Sequence, residues 1–213
     1  MEKFLEVKNE DVEMKPVLLN GTYAIMKSYT KPYASCRYTH PAVEAAIHLR
    51  NKYDIKIQDI KNITVRTYSL AVSGHDHVDI PGSYSAKMSI PYSLAAGLMF
   101  GKAGLQEFSE ETVKNTNLLD LTRKVHVVPD EGLSKVFPEI QAAIVDIETG
   151  SGMVTERVDF PKGEPENPLS DQEFRDRYDA LMGYANIDAS ISDKVFDSIY
   201  RPETTVEDII KDL

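Results

Sequence analysis

The chain has 213 residues, 42% of them hydrophobic, and a formal charge of −10 from 34 acidic against 24 basic side chains. That is apolar material for one domain or two small ones, and the negative field disfavours nucleic acid and anionic membranes, so neither is expected as a partner. A lone cysteine, Cys36, excludes an intramolecular disulfide and cannot by itself hold an iron–sulfur cluster; the expected compartment is the cytoplasm.

In chain order, residues 1–21 read as a charged lead-in without the apolar core of a signal peptide, and no run is long enough to span a bilayer. "TYAIMKSY", Thr22 to Tyr29, is rich in strand formers, with Pro32 ending its ladder. After "KPYASCRYTH" comes a helix from Pro41 to Lys52, whose Val43, Ala46, Ile47 and Leu49 make an apolar stripe. "IKNITVRTYSLAV" alternates as a half-buried strand, with Ile63, Val65 and Thr67 on one face. "SGHDHVDIPGS" is a loop. Ser89 caps a helix that is apolar nearly all round, and Ala95, Ala96 and Gly97 allow it close packing.

Short helices are expected over residues 105–124, then a strand "KVHVV", then a hairpin in which "EIQAAIVDIE" and "MVTERVDF" flank the turn "TGSG". The pattern predicts an α+β fold, a two-layer sandwich of antiparallel strands and helices, over residues 22–162. "PKGEPENP" carries the linker, residues 163–168. Residues 169–213 turn helical, with capping boxes at Ser170/Glu173 and Thr204/Glu207 and a stripe of Ile191, Val195 and Ile199. These helices are too short to build a core of their own, so they are expected to pack on something else.

Lys31, Arg37 and His40 crowd ahead of a helix amino terminus, where free N–H groups favour anions; an arginine fork suits a carboxylate and a histidine titrates near neutral pH. From the pattern alone, an ordinary solvated turn with helix capping stands ahead of that reading. Lys87 stands just before the cap Ser89 and offers one more cation. His75, Asp76, His77 and Asp79 are metal ligands by type, but a His-x-His loop fixes no geometry, and no metal or cofactor is expected. Cys36 carries no nucleophile signature and reads as a small core or pocket residue. Nucleotide, serine-hydrolase and zincin motifs are lacking.

"KPYASCRYTHPAVEAA" resembles a segment of the MmgE/PrpD family, which includes 2-methylcitrate dehydratase, cis-aconitate decarboxylase and iminodisuccinate epimerase. "IKNITVRTY", "SAKMSIPYSLAAGL" and "GEPENPLSDQEF" resemble it further, in the same order. The resemblance implies a smaller α+β lid domain facing a large helical domain, to which the last helices return. It implies metal-free dehydratase, decarboxylase or epimerase chemistry on small di- or tricarboxylates. It matches Lys31, Arg37 and His40 to the family's basic residues, and these three with Lys87 are the expected substrate-binding set, with Lys31 and His40 as catalytic candidates. Decarboxylase-like members carry histidine where this chain has Cys36, which argues against that branch. The family's long helical region precedes the matched segment, so a helical partner subunit is expected, and a homodimer by resemblance alone. The alternative is a non-catalytic interaction module or a small-carboxylate binding domain.

Overall fold

The structure, a computed structural model, describes residues 18–19, 22–199, 201 and 203–212. Most of the lead-in therefore lies outside the described residues. Strands β1 (Leu18–Leu19) and β2 (Thr22–Tyr23) form a two-residue antiparallel ladder. The strand expected through Tyr29 stops there, and Ala24–Lys27 wind into a 3-10 turn. Tyr23, Ile25 and Met26 are all at least 66% exposed, so the strand-forming side chains find no sheet face to cover, and propensity without packing does not hold a strand.

Helix α1 (His40–Tyr53) begins with Pro41 in its first turn and buries His40 to Ala46 and Leu49. Strand β3 (Ile60–Thr67) follows, its alternation burying Ile63, Val65 and Thr67 as expected, and the chain then turns through α2 (Ser69–Val72) and α3 (Ser83–Met88). Helix α4 (Ile90–Phe100) is buried from Ile90 to Leu98. Its close packing depends on Gly97, where an added Cβ would stand 3.1 Å from Val43 Cγ1 and 3.3 Å from the Val43 carbonyl oxygen of α1.

Helix α5 (Thr116–Thr122) leads to β4 (Val125–Pro129), α6 (Glu131–Val136) and the hairpin of β5 (Ala143–Thr149) and β6 (Gly152–Val158). The sheet order is β4-β3-β5-β6. The β3–β5 and β5–β6 pairs are antiparallel, whereas β3 and β4 are parallel. This corrects the all-antiparallel expectation: β4 is reached through helices rather than a hairpin turn, and such a crossover returns the chain in the same direction.

Helices α1 and α4 pack on each other, α1 against β5 and β6 and α4 against β4. They bury one sheet face, including Ile63, Val65, Val145 and Ile147. On the opposite face Arg66 Nε donates to Asp146 Oδ2 at 3.1 Å, and Thr155 Oγ1 donates to Asp146 Oδ1 at 2.7 Å. One apolar and one polar face make this a two-layer α+β fold.

Helix α7 (Asp171–Tyr184) starts with the Ser170/Glu173 capping box. Tyr178 joins it to α8 (Ala189–Ile199), donating its hydroxyl to the Ser192 carbonyl at 2.9 Å and meeting the Phe196 ring at 5.0 Å. Helix α9 (Val206–Asp212) is capped by Thr205 with Asp208, one residue beyond the expected Thr204/Glu207 pair.

Ser89 does two jobs at the start of α4. Its Oγ accepts the Tyr92 N–H at 3.1 Å and donates to the His77 carbonyl at 2.6 Å, with no exposure to solvent. Ser89→Ala is expected to lower stability by about 1–2 kcal/mol in urea denaturation, because it orphans a helix N–H and a buried carbonyl together.

Candidate functional site

The stretch from Thr30 to Thr39 has little regular structure, and distant parts of the chain hold it in place. The Thr30 N–H donates to Gly163 O at 2.9 Å, Ala34 N–H to Ala103 O at 2.9 Å and Cys36 N–H to Lys87 O at 2.8 Å. Arg177 Nε, from α7, donates to Lys31 O at 2.7 Å. Within the stretch, the Ser35 and Thr39 hydroxyls lie 2.6 Å apart and Thr39 Oγ1 donates to Cys36 O at 2.9 Å, setting the 3-10 turn Arg37–Thr39 that feeds α1.

Arg37 is the buried cation here, its side chain 11% exposed. Its Nε donates to Glu164 Oε1 at 2.6 Å, its Nη2 pairs with the same oxygen, and its guanidinium lies 5.4 Å from the centre of the Tyr29 ring. Nη1 is buried and has no hydrogen-bond partner among the described residues. The fork is thus already on a carboxylate, with a donor to spare.

His40 differs from expectation. It is 1% exposed, its Nε2–H donates to Ser35 O at 3.3 Å, and Tyr33 packs edge-on at 5.2 Å. Burial, then Arg37 and more weakly Lys31, pull its pKa down to about 3, against a smaller lift from the Ser35 carbonyl. The imidazole is therefore neutral at pH 7, and its Nδ1 is a buried acceptor without a partner among the described residues. The near-neutral titration expected from sequence is lost to desolvation.

Lys31 is exposed, with Nζ 3.4 Å from Ser35 O. Lys87 offers its carbonyl to Cys36, and its ammonium has neither hydrogen bond nor ion pair among the described residues. The thiol of Cys36 faces His75 Nε2 at 3.6 Å, and His77 Nε2 faces Ser85. Among the described residues no group of three or more His, Cys, Asp or Glu is placed to hold a metal ion.

Several residues that matter here gave little signal in the sequence. Glu44, 3% exposed inside α1, accepts the Lys162 N–H at 2.6 Å and Asn167 Nδ2 at 3.3 Å. Burial raises its pKa despite those donors. Glu44 and Arg37 together fasten residues 162–167, the stretch expected as a linker, onto the site. An acid amid the buried small residues of "PAVEAA" was the available clue.

A depression of about 430 Å³ beside Arg37 is lined by Met26, Lys27, Gln141, Phe160 and Glu164, with further acidic side chains at its rim. A larger groove of about 720 Å³ runs between Tyr33, residues 101–107 and α7, but Lys31, Arg37, His40 and Lys87 are not in its lining. The smaller space, which holds the buried cation, is the better candidate for a charged ligand. No curated protein sequence matches the chain. The family model described as the MmgE/PrpD C-terminal domain matches residues 33–193, which take in Arg37, His40, the sheet and the strap carrying Glu164. On that match over most of its length, the chain belongs to the MmgE/PrpD family, through its C-terminal domain.

Proposed function

We propose that this chain is the carboxy-terminal, lid-bearing part of an MmgE/PrpD-type lyase or isomerase acting on small di- or tricarboxylates such as 2-methylcitrate, and that it works with a helical partner. The observation that carries the reading is Arg37: a buried guanidinium held on the Glu164 carboxylate by two nitrogens, with Nη1 unpaired. A substrate carboxylate fits the same fork, by exchange with Glu164 or by adding at Nη1. Removing a proton beside a carboxylate requires a cation that holds it and steadies the developing enolate charge. In this reading Arg37 grips and Lys31 and Lys87 supply further positive charge. Lys31 and the bare Nδ1 of His40 are the proton-handling candidates.

The test is turnover of 2-methylcitrate and related acids by the chain, alone and co-expressed with a helix-rich protein encoded beside it, followed by the ultraviolet absorbance of the unsaturated product. Arg37→Ala is expected to lower kcat/KM at least about 100-fold, because alanine cannot supply the charge-assisted, bidentate grip on the reacting state. Unchanged kinetics would sink the assignment. The exposed apolar side chains on α7 and α8, Phe174, Leu181, Tyr184 and Ile199, favour a second reading as a non-catalytic interaction module. That reading predicts a stable complex in the same preparation without turnover.

A further inference from the structure

Cys36 and His75 have no part in the chemistry proposed above, and they come from stretches 39 residues apart. Both are half-buried, and His75 Nε2 lies 3.6 Å from the Cys36 sulfur. The other ring nitrogen, Nδ1, is 3.0 Å from the Ser73 carbonyl. A carbonyl only accepts, so Nδ1 carries the proton and Nε2 presents its lone pair to the thiol. The backbone holds both partners: the Cys36 N–H is on Lys87 O, and the His75 carbonyl accepts the Ile90 N–H at 2.8 Å at the start of α4. The Tyr38 ring meets the imidazole edge-on at 5.3 Å. Nucleophile, base and a group that orients the base are all present, which is the arrangement that activates a thiol.

We propose that Cys36 and His75 form a nucleophile–base pair that adds the thiol across the double bond of a small α,β-unsaturated carbonyl compound. His75 Nε2 takes the thiol proton and the sulfur bonds to the β-carbon. The π pair moves to the α-carbon as an enolate. The imidazolium then returns the proton to the α-carbon, so S–H has added across C=C and nothing leaves. The product is a thioether on Cys36.

Because Cys36 is the chain's one cysteine, intact mass reports its modification unambiguously. The folded protein is treated with acrylamide or with N-ethylmaleimide at pH 7, and the second-order rates are compared with those of His75→Ala and His75→Gln. Both substitutions are expected to slow the reaction at least about tenfold while leaving the circular dichroism spectrum unchanged. In urea, where the pair no longer exists, wild type and variants should react at one common rate. Equal or faster reaction of the folded variants would overturn the proposal, as would a wild-type rate no higher in the folded than in the unfolded chain. These rates need neither partner nor substrate, so their outcome is separate from that of the turnover test.

Discussion

Lowering the pH from 7 to 5 is expected to cost the fold about 2 kcal/mol through His40 alone. The imidazole has its ordinary pKa of 6.5 when unfolded and about 3 when folded. Between those values the unfolded chain binds the proton and the native chain does not, so stability is complete above 6.5 and falls as pH drops toward 3. At about 1.4 kcal/mol per pH unit, the window from 6.5 down to 5 yields roughly 2 kcal/mol. Glu44 works the other way: burial raises its folded pKa, so its contribution is lost as pH rises from 4.5 through the folded value. Urea denaturation at the two pH values, for wild type and His40→Gln, separates them. The amide keeps a donor for Ser35 O but cannot titrate, so the variant should lose about 2 kcal/mol less than wild type. Equal losses would show that His40 is not the buried neutral group described here.

The second large effect is expected at Gly163. Its φ is +90°, and an added Cβ would overlap the Thr30 carbonyl oxygen, backbone against backbone with no side chain able to yield. Gly163→Ala therefore adds strain at a left-handed position to a clash that breaks the Thr30–Gly163 bond, at a combined cost of at least about 3 kcal/mol. If the strap lifts instead of the domain melting, Lys162 leaves Glu44 and Glu164 leaves Arg37, and limited proteolysis should cut within residues 161–168. Gly150→Ala is the control, since a Cβ there meets nothing within 4 Å; it should change stability by no more than about 0.5 kcal/mol. A Gly163→Ala protein as stable and as protease-resistant as that control would show that the strap is not seated on Thr30.

The features legible in the sequence are those that short-range chemistry writes. The alternation in "IKNITVRT", the cap at Ser89, the box at Ser170 and Glu173, and the turn at residues 149–152 each depend on neighbours within a few residues, and each formed as expected. Apart from the one-residue shift of the cap at Thr205, the departures involve partners far along the chain. Residues 24–27 wind into a turn because no sheet edge receives them, and β4 is parallel because a helical crossover delivers it. At the site, "KPYASCRYTH" stands out by charge density, and the family resemblance holds for the C-terminal domain. Glu164, 127 residues from Arg37, has no local mark that distinguishes a guanidinium's partner from a linker acid. At His75 the sequence shows only a neighbouring histidine, His77, in a loop that fixes no geometry, whereas the thiol it faces lies far back in the chain.

The four backbone staples on residues 30–36 have a kinetic consequence. Their acceptors or donors come from Lys87, Ala103, Gly163 and Arg177, so no stretch of the chain short enough to fold early contains the information for this loop. Closing such long-range contacts costs chain entropy that is repaid only once the helices and sheet stand. The segment that gathers Lys31, Cys36, Arg37 and His40 is thus a late product of folding, and the order of events runs from scaffold to site.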